Sequence, residues 1–295
     1  MIPVIGITGG DPAGIGPEVA QRAVDSGRFE GRAQLRILGL PSRPVPMGKP
    51  SPECGRIAVE TVRTAVEQCL AGKLDAIVTG PINKYAVRMA GIEFSGHTEF
   101  IAELTNARDV RMLLASDRLR VTHVSTHVSL AEACRHAKAD RIFKTIELAA
   151  LGLQLLGEPG GRIAVAGLNP HAGENGMFGL EDRDQILPAV ADAVKSGINV
   201  LGPISPDTVF YRALSGEFPM VVAMYHDQGH IASKLVAFKE TVNVTLGLPI
   251  IRTSVDHGTA FDIAGKNLAD PTNMICAIEM ALRLVQNRPR TEPRP

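Results

Sequence analysis

The 295-residue chain has no tryptophan, and aromatic residues make up only 4% of it. Lys+Arg and Asp+Glu balance at 31 each. A nucleic-acid surface needs stacking aromatics and a local excess of positive charge, so this composition argues against one. No apolar run reaches the about 18 residues required to span a bilayer. The opening MIPVIGITGGDP has no basic segment and reads as a buried strand, not a signal peptide. Four scattered cysteines (Cys54, Cys69, Cys134, Cys276) contain no C-x-x-C pair. They argue against a disulfide framework and fit packed, reduced thiols of a cytoplasmic protein. Also missing are a G-x-S-x-G elbow, a Walker ending and a G-x-G-x-x-G after a strand. GDPAGIGPE at 10–18 has its glycines in another order.

What is present is a large aliphatic content, 45% hydrophobic residues in a chain long enough for about two domains. Short β-rich runs at 4–8, 35–40, 76–80, 112–115, 121–126, 163–168 and 220–225 alternate with helical patterns. The latter cover 55–71, 98–106, 139–156, 182–196 and 271–286. This alternation predicts an α/β fold with a mostly parallel sheet covered by helices. The Pro-rich stretch 43–52 reads as a loop and the tail 287–295 as disordered.

In such sheets ligands sit beyond the carboxyl ends of strands. His127 follows VTHVST, His171 follows IAVAGLNP, His226 follows MVVAMY, and Gly80-Pro81 follows AIVT. One strand-end histidine is usually structural. Three on separate strands match the neutral imidazole set that holds a divalent ion while leaving positions open. Asp227, next to His226, is a candidate to orient it or to act as a base, and Asp207 in SPDTVF is another. His230 reads as capping or packing, His123 as lying within its strand, and His136 as on a helix surface. SGHTEF places His97 and Thr98 at a helix amino terminus, which suits an anion, although Thr98 alone could be a plain N-cap. Lys84, Lys234, Asn243 and Arg252 are further donors, or simply polar ends of buried runs.

The string SVDHGTAFDIAGKNLADP at 254–271 resembles the loop that holds the adenosine half of NAD in isocitrate and isopropylmalate dehydrogenases. Gly258 and Gly265 allow close backbone approach, Thr259 and Asn267 offer hydrogen bonds, and Asp262 would accept from ribose hydroxyls and repel a 2′-phosphate, favouring NAD over NADP. GDPAGIGPE, TGPINK, SGHTEF, LNPHAGENG, MYHDQGH, NVTLGLPIIRTSVDHGT and DIAGK together resemble the 4-hydroxythreonine-4-phosphate dehydrogenase family of pyridoxine phosphate biosynthesis.

That resemblance implies two α/β domains with a cleft, expected at 1–95 plus 260–295 and at 96–259, in a homodimer with a shared active site. It implies His127, His171 and His226 as ligands of zinc, magnesium or cobalt. His97, Thr98, Lys234, Asn243 and Arg252 would bind the phosphorylated substrate, with Asp207, Asp227 and Lys84 as candidates for proton transfer. The implied reaction oxidises and decarboxylates 4-hydroxythreonine-4-phosphate to 3-amino-2-oxopropyl phosphate with NAD. Two departures stand out. The segment between Leu40 and Ser51 is short, and MFGLED and HDQGHI look more like relatives oxidising 4-phospho-D-threonate or 4-phospho-D-erythronate. A non-catalytic NAD- or metabolite-binding member of the fold is the remoter alternative.

Overall fold

The structure is a computed structural model describing residues 2–41 and 43–289. Its chain divides into two compact units. One comprises the residues up to Val110 together with those from Leu248 onward, and the other is Arg111–Gly247.

The chain begins in the first unit with β1 (Val4–Thr8), α1 (Gly16–Asp25), β2 (Gln34–Leu38), α2 (Pro52–Leu70), β3 (Ala76–Thr79), α3 (Lys84–Met89) and α4 (His97–Leu104). The second unit follows with β4 (Arg111–Ala115), β5 (Arg120–His123), α5 (Leu130–His136), α6 (Ala139–Leu155) and β6 (Ile163–Ala166). It continues through a π turn (Asp182–Ile186) into α7 (Leu187–Lys195), then β7 (Val200–Ile204), α8 (Pro206–Leu214), β8 (Met220–Ala223), α9 (His226–Ala237) and β9 (Val242–Leu246). The chain returns to the first unit for β10 (Ile251–Ser254) and α10 (Thr272–Asn287).

In the first unit the strands lie in the order β2-β1-β3-β10, all parallel. Helix α2 shows why the pattern works. Ala58, Val59, Val62, Ala65, Val66 and Cys69 recur at helical spacing and are all buried. Its start is fixed by Ser51, whose hydroxyl accepts from the Cys54 amide at 3.2 Å, with Pro52 as the first helical residue. Such a cap contributes about 1 kcal/mol. Phe100 and Ile101 of α4 join the same core as Val59 and Val62. β10 pairs with β3. Residues 96–110 and 248–259 therefore belong to the first unit, and the boundaries at 110 and 248 differ from those the sequence implied.

The second unit has the order β9-β4-β5-β8-β6-β7. β4 alone runs antiparallel to its neighbours β5 and β9. Parallel neighbours need a long crossover, whereas β4 and β5 are joined by a tight turn. In it the Ser116 hydroxyl accepts from the Leu119 amide at 3.1 Å. Val121, Ala164, Val221 and Ala223 are fully buried in the core of this unit. A buried valine contributes roughly 1.5–3 kcal/mol.

All seven predicted strands and all five predicted helices form, with ends shifted by a few residues. Strands β7, β9 and β10 and helices α1, α3, α5, α8 and α9 are additional. Of the predicted tail, Asn287 closes α10 and Arg288 donates to the Pro249 carbonyl at 2.9 Å. Residues 290–295 lie outside the described residues. No helix among the described residues is long and apolar enough to cross a membrane.

Candidate active site

Strands β5, β8 and β6 are adjacent and parallel, so their carboxyl ends share one edge of the second unit's sheet. His127, His226 and His171 follow those three ends. The rings of His127 and His226 are neighbours, with centroids 5.8 Å apart and planes at 46°. His226 Nδ1 lies 2.7 Å from Asp227 Oδ1. Donating there, the ring presents the Nε2 lone pair outward. Its other face is stacked on His230, centroids 3.5 Å apart and planes 12° from parallel. His230, expected to cap or pack, is thus buried against a candidate ligand.

His171 stands differently. Its Nδ1 is 3.9 Å from Asp207 Oδ2, and Asp207 Oδ1 accepts from the Ser205 hydroxyl at 2.5 Å. Among the described residues no three His, Cys, Asp or Glu side chains gather closely enough to hold a metal ion. One chain therefore supplies an imidazole pair, His127 with His226, and a separate imidazole–carboxylate pair, His171 with Asp207. The expected three-histidine cluster is not assembled within a single chain.

His123 ends β5 as expected, fully buried, and burial pulls its imidazole down to about 3. Gly229 of α9 lies against it. A Cβ at that position would sit 2.3 Å from His123 Nε2, so only glycine lets α9 approach β5 this closely. Gln228 was not singled out in the sequence. Its Oε1 accepts from the Met224 amide at 2.7 Å and its Nε2 donates to the Gly167 carbonyl at 2.8 Å. It thereby ties the turn before His226 to the end of β6. Lys234 lies over the Phe238 ring at 5.8 Å, and Asn243 Oδ1 of β9 is buried without a hydrogen-bond partner.

The first unit carries a second group. His97 opens α4, where Gly96 is the N-cap, so Thr98 is not the cap. Burial, and secondarily the Arg252 and Lys84 charges, hold the His97 imidazole well below its usual range. Its Nε2 is buried without a hydrogen-bond partner. Arg252 is 2% exposed on β10, and burial pulls its guanidinium down to about 9. Its Nε and one terminal nitrogen donate to the Thr79 hydroxyl at 3.1 and 2.7 Å. Lys84, capped into α3 by Asn83, donates to the Ser95 carbonyl. The Glu99 carboxylate offsets part of this charge, and the remaining positive charge beside an imidazole with an unpartnered Nε2 favours an anion.

The 254–271 loop lies in the same unit. The Thr259 carbonyl accepts from the Ile15 amide at 3.0 Å, which joins this loop to GDPAGIGPE. Asp262 and Asn267 are exposed, Asn267 and Gly265 have φ of 60° and 73°, and a Cβ on Gly258 would meet nothing within 4 Å. Met47 in the short 41–50 segment packs on Gly265, and the Gly48 amide bonds to the Ala13 carbonyl at 2.8 Å.

Residues 15–281 match the family model described as pyridoxal phosphate biosynthetic protein PdxA. The chain belongs to this family. It is 43% identical to 4-hydroxythreonine-4-phosphate dehydrogenase of Desulforapulum autotrophicum over 95% of this chain and 94% of that one. It is 41% identical to D-threonate 4-phosphate dehydrogenase of Pectobacterium atrosepticum over 96% of this chain and 100% of that one. The crystal structure of 4-hydroxythreonine-4-phosphate dehydrogenase from Klebsiella pneumoniae matches with a TM-score of 0.86 at 38% identity, covering 96% of this chain and 100% of that one. Isocitrate dehydrogenase from Methylococcus capsulatus shares the fold at a TM-score of 0.52 and 16% identity, over 95% of this chain and 85% of that one. The expected family and fold class are both borne out.

Proposed function

We propose that the protein is an NAD-dependent dehydrogenase that oxidises the secondary alcohol of a C4-phosphorylated four-carbon hydroxy acid. The observation that carries this reading is the buried group on α4 and β10. The charged Arg252 and the His97 imidazole, whose buried Nε2 has no hydrogen-bond partner, stand together where an anionic oxygen would meet both. With Thr98 next in sequence to His97, and Lys84 close enough for its charge to act on that imidazole, they are the proposed phosphate cradle. Lys234 and Asn243 are proposed donors to the acid end. The relatives named after 4-hydroxythreonine 4-phosphate and D-threonate 4-phosphate act on the same skeleton, which differs at C2 in carrying an amino or a hydroxyl group.

Asp262 and Asn267 are the proposed contacts to the NAD ribose and base, with Thr259 and the open backbone at Gly258 and Gly265 beside them. The chemistry of the histidine set suits a divalent cation such as zinc, cobalt or magnesium. His127, His226 and His171 would hold it, and the bound ion would polarise the hydroxyl and the developing carbonyl. Asp227 fixes the His226 tautomer, and Asp207 stands beside His171, where it can take the alcohol proton. Loss of CO₂ from the resulting β-keto acid would complete the reaction.

A homodimer with a shared site supplies from a second copy what one chain leaves apart. It is supported by Ile231, Leu235 and Phe238, which form an exposed apolar stripe along α9, next to His226. The free cysteines fit a cytoplasmic enzyme.

The test is a substrate panel: 4-hydroxythreonine 4-phosphate, D-threonate 4-phosphate, D-erythronate 4-phosphate and their unphosphorylated forms, each with NAD and with NADP. NAD reduction confined to phosphorylated acids is expected. Reduction of unphosphorylated acids at equal rates would remove the phosphate reading, and none with any acid would leave a binding protein.

A further inference from the structure

The loop carrying His171 is strained. Five consecutive residues, His171–Asn175, have φ between 39° and 79°, and four of them are not glycine. Left-handed backbone costs free energy at the four non-glycine positions, and it persists only where the surroundings over-determine it. The segment Pro170–Gly176 winds as a 3₁₀ turn. At its edges the Ala172 amide reaches the Asn169 carbonyl at 3.1 Å, and the Met177 and Phe178 amides reach the Glu174 and Gly173 carbonyls, each at 3.2 Å. Its entry is anchored from outside the turn.

That anchor is Asp182. It is 1% exposed and opens the π turn before α7, an irregularity that often marks functional sites. Its Oδ1 accepts from the Leu168 amide at 2.8 Å. Its Oδ2 accepts from the Asn169 amide at 3.1 Å and the Asn169 side-chain nitrogen at 2.9 Å. Both oxygens thus grip the two residues that lead into Pro170 and His171. Packing leaves no slack. A Cβ on Gly167 would lie 2.8 Å from Asp182 Oδ1 and 2.9 Å from Ala172 Cα. The carboxylate, the strand end and the left-handed turn fit together only with glycine there.

We propose that Asp182 is the positioning residue for His171: it locks the approach to the loop, so that the left-handed turn aims the imidazole toward Asp207. Neither the family resemblance nor the substrate reading requires this residue. The proposal rests on His171 being a metal ligand, and the controls separate the two claims.

The full-length protein is stripped of metal and titrated with cobalt(II), following visible absorption, with NAD binding measured calorimetrically as the control for folding. Asp182→Asn keeps the volume but turns an NH₂ toward donors that need an acceptor. Cobalt affinity should fall by about 10–100-fold, the effect typical of residues that orient ligands, while NAD affinity stays unchanged. Hydrogen exchange at the Ala172 and Phe178 amides should accelerate, and exchange in β6 should not. Asn169→Ala leaves the carboxylate both backbone donors and should weaken cobalt binding by a smaller factor. Should Asp182→Asn fail to fold, Asn169→Ala decides the matter, since unchanged affinity there overturns the proposal. Unchanged cobalt affinity in Asp182→Asn, with His171→Ala weakened, also overturns it. If His171→Ala binds cobalt normally, the ligand reading fails. The exchange rates then decide alone, and unchanged rates at Ala172 and Phe178 end the claim.

Discussion

His226 and His230 are stacked one helical turn apart on α9, with centroids 3.5 Å apart and nearly parallel planes. His230 Nδ1 is also 3.0 Å from the His226 carbonyl, so the backbone turn and the ring face are held together. Replacing His230 by Ala opens one face of the His226 ring without touching its Asp227 partner. We expect metal affinity to fall by about tenfold, in the range typical for orienting residues. Metal-titration calorimetry checks this, with unchanged NAD binding as the control. Equal affinity in His230→Ala would make the stack mere packing.

Arg252 is buried and donates to the Thr79 hydroxyl, a neutral partner. A charge-assisted bond from this guanidinium to phosphate is worth roughly 1.5–3 kcal/mol. Arg252→Lys shortens the reach and loses the fork geometry. The KM for the phosphorylated acid should rise by about 10–100-fold, while NAD affinity is retained. A KM unchanged in this variant would place the phosphate elsewhere.

Acid should weaken the fold through His123 and His97. Both imidazoles are held down in the folded state, His123 to about 3. The unfolded chain takes up protons below about 6.5, where the folded chain does not. Stability is therefore complete above that pH and declines as pH falls toward 3, by up to about 1.4 kcal/mol per pH unit for each site. Urea unfolding between pH 8 and pH 5 reads this slope. His123→Gln should make it shallower, and an unchanged slope would show that His123 is protonated in the native protein.

Asp262 is exposed on the 254–271 loop and is the proposed discriminator against a 2′-phosphate. Asp262→Ser should lower the affinity for NAD by about tenfold, the loss of a charge-assisted bond, and narrow its margin over NADP. Fluorescence titration with NADH and NADPH measures both. Equal loss for the two cofactors would remove Asp262 from the ribose site.

The sequence was most legible where burial on both faces writes continuous aliphatic runs, as in IAVA of β6 and MVVA of β8. It was opaque at β7, where Gly202 and Pro203 read as a turn. Proline is tolerated there because β7 is the edge strand, with a ladder partner on one side only. β10 hid because Arg252 and Thr253 are polar yet buried. α9 hid because it opens on His226, Asp227, Gln228 and Gly229, a string without helical apolar spacing. The strand-end rule singled out His127, His171 and His226, and each does follow the end of a strand. It could not find Asp182 or Gln228, which act on backbone groups of loops remote in sequence. Nor could one chain's sequence reveal that its three histidines divide into two groups.

The most direct measurement counts divalent ions bound per chain while metal-free protein is titrated with cobalt or zinc, with the rate of NADH formation from D-threonate 4-phosphate and 4-hydroxythreonine 4-phosphate recorded at each point. The rate should climb with occupancy, level off at one ion per site, and be lost together with ion binding in His226→Ala. Full turnover by the metal-free protein, or normal occupancy in His226→Ala, would contradict the account.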